Sequence, residues 1–187
     1  GRRSPGHETQ DHQADKSIYP SSGRLLLDIN MIRRIIILSP SYPSKENKHS
    51  YAFVHARVKS YSKIANIQTL IFVPDKFKID HYTYEGIHVY KGPFMLLKAL
   101  IENFDPDVLA IHAPSYLMLK HTLSFRLPIV VWIHGAEVLF RSLHNYIPPF
   151  GFMNNLIRFK TFFEDFVRNI RLRELLKQVQ AVVYVSR

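Results

Sequence analysis

Leu127-Pro128-Ile129-Val130-Val131-Trp132-Ile133-His134-Gly135-Ala136-Glu137 is the stretch on which the fold turns. Five apolar residues stand between a proline and a histidine–glycine pair. A strand with one wet face alternates apolar and polar residues, so an unbroken run predicts a strand, residues 129–134, buried on both faces. On either side of it, further short runs predict strands at 34–39, 68–73, 84–90 (with a turn at Glu85-Gly86), 108–112 and 181–185. Pro40, Pro43, Pro74 and Pro106 punctuate them. Between them lie helical spacings at 51–64, capped by Ser50, at 94–103, at 115–125 and at 155–179. Residues 135–151 read as a long loop. Continuous apolar strands separated by helices predict an α/β fold, a Rossmann-like parallel sheet with helices on both faces.

Composition agrees with a packed domain. The chain has 187 residues, 47% hydrophobic and 21% charged, enough apolar mass for a sizeable core. It has no cysteine, which excludes disulfides, thiolate metal sites and a cysteine nucleophile. The net charge is +10. Residues 1–30 hold four basic and four acidic residues, so the whole excess falls in 31–187. Such a surface favours acidic partners: nucleic acid, anionic lipid or phosphorylated small molecules. The basic residues are spread over several elements rather than clustered with aromatics, which argues against nucleic acid. No run approaches the roughly 20 apolar residues of a membrane span. Residues 1–30 are polar and rich in Gly, Pro and Ser. They read as a leader, tag or flexible extension, with the domain beginning at Met31; the alternative is an extension that packs residues 25–29 on the domain.

Several signatures of catalysis are missing: no Gly-x-Gly-x-x-Gly after the first strand, no phosphate loop, no Gly-x-Ser-x-Gly elbow, no His-Glu-x-x-His pair. The ten histidines match no metal-ligand spacing. What remains is a set of polar residues at carboxyl ends of predicted strands, where an open α/β sheet forms its ligand crevice. Ser39, His112, His134 and Ser186 hold such positions. His134 suits hydrogen bonding to a sugar hydroxyl or a phosphate, and Gly135 lets the backbone pass close to a ligand. Glu137 is either an acceptor for a substrate hydroxyl or the first-turn acid of a short helix. Lys48, His49 and Ser50 precede a helix N-terminus, whose free amides favour an anion. In the long helix, Leu156, Phe159, Phe163, Phe166 and Ile170 form one stripe, with basic residues around it. That stripe is either core packing or a surface for anionic lipid. The aromatic segment Tyr146 to Phe152 before it is a lid, a membrane-dipping loop or a packed loop.

The order of local patterns resembles the N-terminal, acceptor-side half of GT-B glycosyltransferases of the family 4 type. The patterns are Ile35-Ile36-Ile37-Leu38-Ser39-Pro40-Ser41-Tyr42-Pro43 with Tyr51-Ala52-Phe53-Val54; Tyr84-Glu85-Gly86-Ile87-His88-Val89-Tyr90; Asp105-Pro106-Asp107-Val108-Leu109-Ala110-Ile111-His112; the 127–137 stretch; and Ala181-Val182-Val183-Tyr184-Val185-Ser186. They cover about residues 33–187. The resemblance implies a retaining transfer of a sugar from a nucleotide-sugar donor to an acceptor, lipid-linked or polysaccharide. His134 would lie beside the donor sugar. No cofactor or metal is implied; the donor is a substrate, held mainly by a C-terminal domain or subunit lying outside this chain. A cytoplasmic site, peripheral on the inner membrane face, is implied too. Two features depart from the pattern. Where the family often has a Gly-Gly pair, this chain has Lys45-Glu46-Asn47-Lys48-His49-Ser50, and no two glutamates stand eight residues apart. The isolated chain is therefore expected to bind donor weakly and to turn nothing over.

Overall fold

The computed structural model describes residues 33–63, 67–135, 137–139 and 152–185. The extension 1–30, Met31, Ser186 and nearly all of the aromatic segment lie outside the described residues. The elements are β1 (Arg34–Leu38), α1 (Ala52–Tyr61), β2 (Gln68–Pro74), β3 (Asp80–Tyr84), β4 (Ile87–Gly92), α2 (Phe94–Phe104), β5 (Val108–His112), α3 (Tyr116–Thr122), β6 (Ile129–Ile133), α4 (Phe152–Leu176) and β7 (Ala181–Tyr184). The seven strands form one sheet in the order β3-β4-β2-β1-β5-β6-β7. Every pairing is parallel except β3 with β4.

Alternation along the strands divides the core in two. Ile36, Leu38, Leu70, Phe72, Leu109, Ile111, Ile129, Val131 and Ile133 face one side, against Leu97 of α2, Leu119 of α3 and Leu172 of α4. Ile35, Ile37, Ile71, Val73, Val108 and Ala110 face the other, against Val54 and Val58 of α1. One face thus carries three helices and the other carries α1. Chain order reverses at β1, which pairs with β2 on one edge and β5 on the other, and the carboxyl ends there form the crevice of a doubly wound sheet.

Three expectations need correction. The turn expected at Glu85-Gly86 is present (φ 46° and 81°), but it falls inside the predicted span 84–90: the strand starts at Ile87, and Tyr84 ends β3 on the other side of the turn. Two positive φ angles in succession are what a tight hairpin requires, and only the glycine meets that freely. Glu85 is held there by Lys59 Nζ and by His55 Nε2, at 2.7 and 3.2 Å. Second, Ser50 does not cap α1. Its hydroxyl donates to Ser41 Oγ at 2.6 Å, and Tyr51, in the left-handed region, occupies the cap position without a side-chain bond. Third, the stripe on α4 is not core packing among the described residues. Phe159 is 74% exposed and Phe163 60%, with Leu156, Phe166 and Ile170 near half. The helix packs instead through its last turns, by Leu172, Leu175 and Leu176.

The Asp105-Pro106-Asp107 pattern is a fastening of the sheet. Asp107 Oδ2 accepts from the backbone N–H of Arg33 and of Arg34, both at 2.8 Å, at the head of β1. Those bonds, the Arg33 N–H first, hold its pKa below the usual carboxylate range. Asp105 ends α2 with a left-handed turn and pairs with Arg34 at 2.7 Å. Replacing Asp107 with Ala removes two charge-assisted bonds at the head of the central strand and should cost about 1–2 kcal/mol, read as a lower urea midpoint with an unchanged slope.

Candidate functional site

The even-numbered residues of β6 face α1, so Trp132 and, one step past the strand, His134 arrive on the same side of the sheet. His112 ends the neighbouring strand opposite Trp132. Its ring stacks on Trp132 with centroids 4.8 Å apart and an interplanar angle of 16°. His112 Nδ1 and His134 Nε2 lie 3.2 Å apart. From α1, two residues one turn apart close the cluster. Phe53 packs its ring 4.5 Å from that of His134, and the Arg57 guanidinium sits 5.5 Å from the Trp132 centroid.

The turn beyond β6 is built by Gly135 and Glu137. Gly135 has φ 100°, a conformation strained for any side chain, and its carbonyl accepts from the amides of Val138 and Leu139. Glu137 Oε2 accepts from the backbone N–H of His134 at 3.0 Å. Ala113, directly after His112, is also left-handed (φ 49°) and donates its amide to the Trp132 carbonyl at 3.0 Å. Backbone held in sparsely populated conformations at two adjacent strand ends is a feature that clusters at functional sites.

His112 is fully buried. Burial first, then the charge of Arg57 and the neighbouring His134, lowers its pKa from 6.5 to about 3. Burial lowers that of His134 as well, opposed by Glu137. Both imidazoles are therefore neutral near pH 7. Within the cluster, His112 Nε2 and Arg57 Nη1 are buried with no hydrogen-bond partner among the described residues.

The expected residues fare unequally. His112, His134, Gly135 and Glu137 come together. Ser39 is buried, and its hydroxyl donates to the Ser41 carbonyl at 2.7 Å. Ser50 is likewise committed to Ser41, while Lys48 and His49 are exposed on the turn before α1. The Ala52 amide already donates to the His49 carbonyl, and those of Val54 and His55 to the Tyr51 carbonyl, so few amides stay open to an anion at this helix start. Phe53, Arg57 and Trp132 are site residues that sequence reasoning misses; the signal for them is the four-residue spacing on a helix and the two-residue spacing on a strand.

A separate chain of groups braces α1. Tyr42 OH bonds His55 Nδ1 at 2.8 Å, and His55 Nε2 meets Glu85. Burial pushes the Tyr42 hydroxyl pKa up, so it stays protonated and structural. Two clefts flank the loop after β1. One, of about 530 Å³, is polar and includes Ser41, Asn47, Lys45, Lys78, Lys91 and Asp80. The other, of about 440 Å³, is mostly apolar, with Pro40, Pro74, Phe94, Leu117, Met118 and His121. Among the described residues no group of three His, Asp or Glu is arranged to hold a metal ion. No protein-family model matches the chain, and a search of curated proteins finds no match.

The depressed His112 pKa makes stability depend on pH. The unfolded chain takes a proton near pH 6.5 that the folded chain refuses until about 3, so stability falls as pH falls through this window. His134 acts in the same direction. The lowered carboxylates, Asp75 and Asp107, act in a more acidic range. For His112 alone the loss between pH 7 and pH 5 is about 2 kcal/mol. His112→Asn should flatten that slope, measured by urea denaturation at both pH values.

Proposed function

We propose that this chain is the acceptor-side half of a retaining glycosyltransferase of two-lobed, family 4-type architecture, moving a sugar from a nucleotide-sugar donor to an acceptor. The observation that carries the reading is the setting of His134. It stands at the carboxyl edge of a parallel sheet, on a glycine turn, braced by Glu137, His112 and Phe53. In this reading His134 hydrogen-bonds the donor sugar, and the carboxylate oxygen of Glu137 not used by the His134 amide accepts from a sugar hydroxyl. The polar cleft suits a hydroxyl-rich or phosphorylated acceptor, since Lys45, Lys78 and Lys91 line it; the apolar cleft suits the hydrocarbon part of a lipid-linked one. The nucleotide is held mainly by a C-terminal domain or partner subunit. The place of action is the cytoplasm, at the inner face of the membrane.

A second reading, a basic α/β module that binds an anionic membrane without catalysis, is favoured by α4. Its exposed Phe159 and Phe163 lie on a helix that also carries Arg158, Lys160, Arg171 and Arg173. No described helix is long and apolar enough to cross a membrane.

The test joins the chain to the donor-binding lobe of a family 4-type enzyme and follows radiolabelled sugar from a panel of nucleotide sugars into lipid and glycan acceptors. Transfer is expected from the joined protein and not from the chain alone. His134→Ala should lower kcat/KM about a hundredfold with the melting temperature little changed. Unchanged kinetics in that variant would remove His134 from the chemistry. Sedimentation with phosphatidylglycerol vesicles addresses the second reading. Phe159→Asp together with Phe163→Asp should abolish vesicle binding, and binding that is steep in salt, indifferent to nucleotide sugars and unaccompanied by transfer would favour the non-catalytic module.

A further inference from the structure

We infer that His112 is a positioning residue that fixes the tautomer of His134: its Nδ1–H donates to His134 Nε2, which leaves the His134 proton on Nδ1 as a hydrogen-bond donor. Two neutral imidazoles meet nitrogen to nitrogen at 3.2 Å, so one N–H lies between them and each ring keeps one proton. Two arrangements satisfy this. In the first, His134 donates from Nε2, and His112 must then carry its own proton on Nε2. That places a buried N–H on an atom that has no acceptor among the described residues, beside the positive charge of Arg57. In the second, His112 donates from Nδ1, and its Nε2 presents a lone pair instead.

The second arrangement is favoured. An unpaired buried N–H is a costly and rare thing in folded proteins, and the Arg57 charge opposes positive charge on this ring. Stacking on Trp132 holds the His112 ring against rotation, and full burial denies it a solvent partner. His134 is thereby committed: its Nε2 lone pair is occupied and its Nδ1 carries hydrogen. A ring in that state gives a hydrogen bond to an oxygen and does not take a proton from one at neutral pH. Resting on the glycosyltransferase reading, this makes His134 a donor to a sugar hydroxyl oxygen rather than a general base, and it places His112 behind it as the residue that orients the ring.

Long-range proton–nitrogen correlation spectra of the ¹⁵N-histidine-labelled 187-residue chain at pH 7 test the inference directly. Assignment comes from the resonances lost in His112→Asn and in His134→Gln. The expected result is a protonated Nδ1 and an unprotonated Nε2 for His134; the reverse pattern would overturn the inference. Two variants add a control on folding. His112→Asn sets an amide N–H close to where Nδ1 sits and should keep the His134 pattern, whereas His112→Leu removes the donor and should shift it toward protonated Nε2. An unchanged His134 spectrum in a folded Leu variant would also overturn it. The spectra are read without substrate, so a failure of sugar transfer would count against the glycosyltransferase reading while this assignment stood on its own measurement.

Discussion

A strand turns alternate side chains to opposite faces of its sheet, and that constraint governs β6 and the site at its end. Ile129, Val131 and Ile133 enter the core under α2, α3 and α4. Val130 and Trp132 pack on the side of α1, and His134 continues their register past the strand end. A slip of one residue would bury the histidine under three helices and move the isoleucines to the α1 face. The large apolar area on the odd face therefore holds the histidine on the even face. The residue that matters chemically is placed by residues that do no chemistry.

Much of this fold is legible in the sequence. Buried parallel strands write themselves as unbroken apolar runs, and β1, β2, β5, β6 and β7 lie within one residue of the runs that predict them. β3 is hidden, because Asp80-His81-Tyr82-Thr83-Tyr84 is an edge strand with polar residues and no apolar run to betray it. Its pairing is visible only through the turn, and a turn led by glutamate gives a weak signal. The start of α1 misleads because Ser50 has a better partner, Ser41, nine residues back in sequence. The stripe on α4 is ambiguous for a different reason. Helical spacing reports that one face is apolar but not whether the fold supplies anything to cover it.

The site is half legible. Strand-end residues of adjacent strands converge by topology, so His112, His134, Gly135 and Glu137 are reachable from the element order alone. Phe53 and Arg57 are not, since their proximity depends on how α1 lies across the sheet. Ser39 shows the converse. Its position is right for the crevice, yet its hydroxyl is spent on the Ser41 carbonyl, a local bond that short hydroxyl side chains make readily.

The central place of β1 bears on how the chain is made. A strand that comes first in chain order among the seven and ends in the middle of the sheet has two edges to fill. β2 begins at Gln68 and fills one, but the other waits for Val108–His112. During synthesis the nascent chain therefore carries an open apolar edge for about seventy residues, a span in which such edges recruit wrong partners. The bonds from Asp107 to the amides of Arg33 and Arg34 form only when that second partner arrives, immediately ahead of β5. They act as a latch that closes late, only when the second half of the sheet is in place.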